Sequence, residues 1–444
     1  MTQAIPARVR ASAPAERFAA IVGEPFATPA GSADRVDGIA PRIVVRPASV
    51  DEVRAVIRTC GDLGLALVPT GLGRHLDVGA PPERCDVLLR LDRLGGILDH
   101  QPADMTATVA AGCSIAVLRE ALARHGQWLA VDPPCPEATT VGGMIAANLS
   151  GPLRASQGAV RDLLLGIEIV AADGALVRGG GRVVKNVAGY DLPKLHVGAL
   201  GSLGVVVSAT FKLRPRPPLE RAIAVDCEDL DQAALVALAV RDALDPLWLA
   251  IEVPAESEGH PAPAASSAAA RAIVGVAGIA AEVEDAVMRV ERVAGVRGLA
   301  SHPIAGATAV REDLASFPLR PAAAVLRAST LPGSVAACSR ALVDAAASEG
   351  TRVAILADVA TGVLRALVPA PRAVAPLVRR LRPALVAGGG YLVVERASPV
   401  VKQLLVGDAD AWGDVGGGLE LMRGVKTAFD PARLLSPGRM PGGI

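Results

Sequence analysis

Residues 180–215, GGRVVKNVAGYDLPKLHVGALGSLGVVVSATFKLRP, constrain this chain more than any other stretch. A polar Lys-Asn-x-x-Gly-Tyr-Asp core precedes glycines at 198, 201 and 204, and a β-branched strand ending in proline follows. Glycines leave the backbone unhindered just where the chain enters that strand. Two further glycine-rich segments lie upstream, at 69–79 and 132–151.

The first upstream segment closes a strand–helix–strand unit. Arg42 to Arg46 is β-branched and bounded by prolines, and Ser49 with Glu52 forms a Ser-x-x-Glu capping box. Val53, Val56, Ile57 and Cys60 follow at helical spacing, with Gly61 and Gly64 marking the stop. Leu65 to Val68 then runs as a strand into Pro-Thr-Gly-Leu-Gly-Arg-His-Leu-Asp-Val-Gly at 69–79. A glycine-rich loop after a strand lets backbone N–H groups turn toward a phosphate, because no side chain blocks the approach. A Rossmann loop would need Gly-x-Gly-x-x-Gly opening a helix, with an acid such as Asp92 about 20 residues on. Leu76 stands where the third glycine belongs, and DVGAPP at 77–82 cannot be a crossover helix. A plain structural turn satisfies the same residues.

The second segment begins beyond a short helix capped by Ser114, with Ile115, Leu118 and Leu122 on one face and Gly126 at its end. A strand from Gln127 to Val131 leads into DPPCPEATTVGGMIAANLSG at 132–151. Thr139 and Thr140 precede Gly142 and Gly143, and a small-residue helix follows. Hydroxyls, unhindered N–H groups and a helix N-terminus in one place would make an anion site. An aspartate at position 142 would then repel the anion. The alternative is a tight loop packing that helix against a sheet.

With 444 residues, the chain is long enough for two or three domains with substantial cores. Aromatics are only 2% of it, so those cores must be aliphatic. Formal net charge is zero and no basic stripe occurs, which argues against nucleic acid as a partner. The N-terminal residues lack the apolar segment of a secretory signal, and no run of about 20 apolar residues points to a membrane span. The six cysteines are scattered without a Cys-x-x-Cys pair, which disfavours zinc and iron–sulfur sites and favours free buried thiols. A soluble cytoplasmic chain is the expectation, peripheral at the inner face of the membrane only through partners.

The order of these segments resembles the flavin-binding half of FAD-linked oxidases of the vanillyl-alcohol oxidase type. PTGLGRHLDVG is followed by TTVGGMIAANLSG, QGAVRDLLLGIEIVAADG and GYDLPKLHVGALGSLGVV. Within that group, the Lys185–Asp191 motif KNVAGYD resembles the FAD-binding E subunits of bacterial glycolate oxidase. The resemblance spans roughly residues 41–217 and returns in GLELMRGVKTAFDPARLLSPGRM at 418–440, with Ser436 replacing the usual Asn. It implies an α+β fold with a two-part PCMH-type FAD-binding domain and an antiparallel-sheet cap domain covered by helices. The implied divisions are an N-terminal segment 1–40, the FAD-binding domain 41–217, the cap 218–410 and a returning segment 411–444.

Carried over, the cofactor contacts fall on Gly71, Leu72, Gly73, Arg74 and His75, with Thr140, Gly142 and Gly143 opposite. Gly151, Gly158 and Val206 match positions that border the flavin or adenosine. Arg74 occupies the usual Thr position, where it either pairs with a phosphate or stays solvated. Some relatives attach FAD through a loop histidine one position earlier than His75, so non-covalent FAD is expected. Lys185, Asn186 and Tyr190 are the candidate catalytic groups: a lysine can stabilise the anionic reduced ring, and the other two offer hydrogen bonds. Lys185 as a surface ion-pair partner, with Tyr190 packed in a buried turn, is the competing reading, and Asp191 reads as a local cap or ion-pair partner.

Beyond Pro215, Pro217 and Pro218, strands at 222–225, 248–253 and 273–276 alternate with helices at 230–244 and 283–293. A second set, strands at 324–328, 353–357, 363–368 and 391–395 with helices at 335–349 and 374–382, completes the pattern of a helix-covered antiparallel sheet. Oxidising a 2-hydroxy acid requires a base, a cation for the carboxylate and a hydride acceptor. No histidine follows His302, so the late histidine cluster of D-type glycolate oxidase subunits is absent. The resemblance therefore implies an FAD-binding subunit of a heteromeric glycolate oxidase, with D-type flavin and F-type iron–sulfur partners. A non-catalytic assembly subunit with a vestigial flavin fold and a stand-alone FAD-dependent oxidase are the alternatives.

Overall fold

The computed structural model of the chain describes residues 14–182, 190–254 and 269–444. Ser49 leaves an extended segment, and its hydroxyl accepts the N–H of Glu52 at 3.2 Å, which starts the helix Val50–Leu63. Gly64 ends it in the left-handed region at φ 63°, where a Cβ would be strained. This helix buries Val53, Val56, Ile57 and Cys60 against a four-stranded sheet. The sheet order is Ala27–Pro29, Ile43–Val45, Val87–Arg90, Leu67–Thr70, the last three parallel. Asp92 forms an ion pair with Arg46 at 2.7 Å, a structural role in place of ribose recognition.

A five-stranded antiparallel sheet follows, ordered Ile97–Gln101, Thr106–Ala110, Val205–Lys212, Leu164–Val170, Leu176–Gly180. Its central strand, Val205–Lys212, is buried at seven consecutive positions, as expected of a β-branched run with both faces covered. The expected strand over 127–131 is only Gln127–Trp128, because its partner Arg214–Pro215 is itself two residues long. The C-terminal segment lies along the Leu67–Thr70 edge: the Leu67 N–H donates to Leu434 O at 2.8 Å, and the Ser436 N–H to Leu67 O at 2.9 Å. Asp430 holds that return by accepting the N–H groups of Leu434 and Leu435 and an ion pair from Lys426 at 2.7 Å.

Residues 219–397 build an eight-stranded antiparallel sheet. The strand period of two puts Leu249 and Ile251, Leu326 and Ala328, and Leu364 and Ala366 on one face. The helices Leu230–Ala243, Ala280–Gly295, Val335–Ser348 and Val374–Ala387 bury that face in the largest core of the chain. The opposite face carries Ala222, Trp248, Ala250 and Ile273, which pack against Leu153, Ala307 and Leu314. Arg327 and Arg365, paired across neighbouring strands, also belong to that side. The helix Ala307–Ala315 carries no cap signal in the sequence, because it starts after Gly306, which has no side chain to accept an N–H. Among the described residues no helix is long and apolar enough to cross a membrane.

Candidate functional site

The loop after Leu67–Thr70 turns its two sides to different partners. Its carbonyls are held by cations: Arg439 Nη2 donates to Leu76 O and Val78 O at 2.7 and 2.6 Å, and Lys402 Nζ donates to Asp77 O at 2.7 Å. The backbone N–H groups of residues 71–77 meet no acceptor among the described residues. Consecutive free donors are the groups from which an anion-binding nest can be built. Gly73 supports it with φ 80°, a conformation that favours glycine.

The second glycine-rich segment behaves differently. Thr140 caps the helix Val141–Ala146 and accepts the Gly143 N–H at 3.1 Å. The Val141 N–H donates to Cys113 O at 2.9 Å and the Gly142 N–H to Ala111 O at 2.8 Å. The expected helix-terminus anion site is therefore corrected: its first donors are spent on the neighbouring strand and on the cap. A Cβ at Gly142 would lie 3.0 Å from Ala111 Cβ, so glycine here permits close helix–strand packing, and an added side chain would point at the sheet instead of at an anion. The two loops touch at Gly71, where a Cβ would sit 2.2 Å from Thr140 Oγ1.

Between the loops lies a cleft of about 710 Å³, lined by Gly71, Gly73, Thr140, Gly143, Gly204 and Val206, among others. Leu72 and Arg74 border it as exposed residues. His75 sits on its far wall with Nε2 2.8 Å from Thr139 Oγ1. The Thr139 hydroxyl donates to Pro134 O at 2.6 Å, so it can only accept from the imidazole. His75 thus carries its proton on Nε2, and Nδ1 is a buried lone pair without a partner among the described residues. Burial, reinforced by the Arg396 guanidinium, pushes the ring down to about 4, so it is neutral near pH 7.

Residues 41–180 match the family described as FAD binding domain. This part of the chain resembles an FAD-binding domain. Chains with the same fold include p-cresol methylhydroxylase with substrate bound (TM-score 0.73, 18% identity, 96% of both chains). Another is 4-ethylphenol oxidase from Gulosibacter chungangensis (TM-score 0.71, 17% identity, 96% of both chains). Among curated relatives, glycolate oxidase subunit GlcE of Escherichia coli is 43% identical over 123 residues, 28% of this chain and 35% of GlcE. Glycolate oxidase subunit GlcD of Bacillus subtilis is 34% identical over 194 residues, 44% of this chain and 41% of GlcD. D-lactate dehydrogenase of Archaeoglobus fulgidus is 34% identical over 184 residues, 40% of this chain and 41% of that enzyme. The matched stretches thus span about two fifths of these relatives' length.

The geometry of residues 41–180 is compatible with a dinucleotide, because the N–H groups of residues 71–77 are free of protein acceptors among the described residues and a pyrophosphate could accept them. Gly71, Leu72, Gly73, Arg74, His75, Thr140, Gly142, Gly143 and Val206 come together around the cleft. Gly151 does not: its N–H donates to Asp132 at 2.9 Å, and it lines a separate chamber. Gly158 closes the short helix Arg154–Gln157 at φ 89°, away from the cleft. Tyr190 is 94% exposed and lies off the cleft, so neither a buried packing role nor a cleft contact holds for it here. Asp191 pairs with Lys194 at 2.6 Å. Lys185 and Asn186 lie outside the described residues. Sequence reasoning passed over Arg154, Arg327, Arg365 and Glu395; the signal was an arginine inside otherwise apolar strands, AVLRAS and VLRALV.

Proposed function

We propose that this chain holds FAD non-covalently and acts as the FAD-binding subunit of a heteromeric 2-hydroxy acid oxidase of the glycolate oxidase kind, with D-type flavin and F-type iron–sulfur partners. The observation that carries the reading is the run of unpaired backbone donors at residues 71–77 inside an FAD-binding domain. The substrate class is supported by the curated relatives, whose names share glycolate, D-lactate or D-2-hydroxyglutarate. In this reading residues 41–217 hold the cofactor, residues 218–410 cover it, and residues 411–444 return to brace the first loop.

The nest at residues 71–77 binds the pyrophosphate, while Gly143, Gly204 and Val206 form unhindered walls. A bound flavin supplies the hydride acceptor. His75 offers Nδ1 as a hydrogen-bond acceptor on the cleft wall, and its donated bond to Thr139 fixes that tautomer. A covalent link is disfavoured because the ring is already oriented by Thr139.

The test is the visible spectrum of the purified chain, followed by acid precipitation and anaerobic addition of glycolate, alone and with partner subunits. Yellow colour released by acid and bleached by glycolate supports the reading. Colour retained in the pellet contradicts non-covalent binding. A colourless chain that takes up no FAD yet assembles with its partners would establish the scaffold alternative.

A further inference from the structure

On the face of the eight-stranded sheet turned away from its four helices, two arginines share one carboxylate. Arg327 and Arg365 stand directly opposite each other on neighbouring antiparallel strands, a like-charge pairing that destabilises a sheet. The register slips between Val325 and Leu326 against the strand Tyr391–Ala397, and the extra residue of that bulge is Glu395. Glu395 accepts two bonds from Arg365, at 2.7 and 3.1 Å, and lies 3.9 Å from Arg327. Its carboxyl is held down to about 2 by Arg365 and Arg327 against the opposing effect of burial. One carboxylate therefore serves two guanidinium groups.

A third arginine faces this pair from the FAD-binding domain. Arg154 donates only to Ser150 Oγ, at 3.5 Å, and has no carboxylate within ion-pair distance among the described residues. A chamber of about 500 Å³ lies between, lined by Ser150, Arg154, Asp358, Thr361 and Arg365. A smaller space of about 300 Å³, sharing Ser150 and Arg365 with that chamber, reaches His75 on the cleft wall. The other acid, Asp358, spends its oxygens on Thr361 and Ala360 of its own turn. Burial, and then the charges of Arg327 and Arg365, disfavour the protonated state of Arg154, and a bound anion would relieve the electrostatic part.

We infer that Arg154 is the anchor for the carboxylate of a small organic acid, bound in the chamber that adjoins the smaller space beside His75, with Ser150 and the unpaired edge of Arg365 beside it. The anion site rests on the charge imbalance and the chamber. The identification of its occupant as the 2-hydroxy acid substrate rests on the function proposed above.

The experiment uses the full FAD-loaded chain, with oxalate as a non-oxidisable probe, in wild type, Arg154→Met and Arg154→Lys. Binding is read by calorimetry and by perturbation of the flavin spectrum. Loss of a charge-assisted pair predicts about 10- to 100-fold weaker oxalate binding in Arg154→Met. Arg154→Lys, which keeps the charge without the planar fork, is expected to fall between, and both variants to keep wild-type FAD content. KM for glycolate is expected to rise with the oxalate Kd. Equal oxalate affinity in wild type and Arg154→Met, or no oxalate binding by wild type, overturns the inference. Flavin reduction by glycolate with an unchanged KM in Arg154→Met would leave the proposed function standing and remove Arg154 from it. Oxalate binding that depends on Arg154, with no 2-hydroxy acid able to reduce the flavin, would keep the site and overturn the functional reading.

Discussion

In the loop at residues 71–77 every backbone N–H lacks an acceptor among the described residues, whereas at Val141, Gly142 and Gly143 the N–H groups are taken by Cys113, Ala111 and Thr140. Both loops follow the same composition rule, with glycines beside hydroxyls or polar groups. Their glycines nevertheless serve different ends. In the first, Gly73 supplies a left-handed turn that opens donors to a ligand. In the second, Gly142 lets a helix pack against a strand, and its donors are consumed in doing so. Glycine density alone therefore does not distinguish a cradle from a packing contact; the fate of each N–H does.

The largest way to break this comparison is Gly71→Ala, which places a Cβ where Thr140 Oγ1 lies 2.2 Å away. The loops must separate, and the expected result is an apoprotein as isolated, with FAD affinity reduced by more than about 100-fold (on the order of 3 kcal/mol). Gly142→Ala tests the other loop. Its Cβ would press on Ala111 at 3.0 Å, so a loss of about 1–3 kcal/mol in stability is expected by chemical denaturation, with FAD binding weakened only as far as the fold is.

A smaller effect comes from pH. The unfolded His75 ring binds a proton below about pH 6.5 and the folded ring not until about 4, so the unfolded state holds more protons across that window. Stability is therefore full above the unfolded value and falls as pH drops from 6.5 toward 4. Allowing for partial exposure, His75 contributes about 1 kcal/mol. His196, also pushed down to about 4 by burial, acts with the same sign, so His75→Gln should remove about half of the slope in a pH series of denaturation midpoints. The smallest expected effect is Arg74→Ala. If backbone donors hold the anion, removing this exposed side chain changes FAD affinity by less than about threefold, within 1 kcal/mol. A larger loss would return the phosphate contact to the side chain.

Local signals carried much of this architecture. The Ser49 cap, the Gly64 stop and the period-two strands at 248–253 and 363–368 are legible in the sequence, because each depends on residues within a few positions of one another. The site was legible only in outline. That Gly71 and Val206 share a cleft followed from the order of the motifs, but the acceptors that consume the Gly142 and Val141 donors are carbonyls about 30 residues away. The opposition of Arg327 and Arg365 likewise depends on strand register and on a bulge, neither of which composition records. Tyr190 shows the converse: a motif residue that looked like a site group lies in solvent.

Hydrogen–deuterium exchange of the full chain, with and without FAD, tests the central claim most directly. The amides at residues 71–77 are expected to exchange fast without FAD and to be strongly protected on adding it, with amides 141–143 protected in both states. Protection that arises on FAD binding at 141–143 and leaves 71–77 unchanged would contradict that claim.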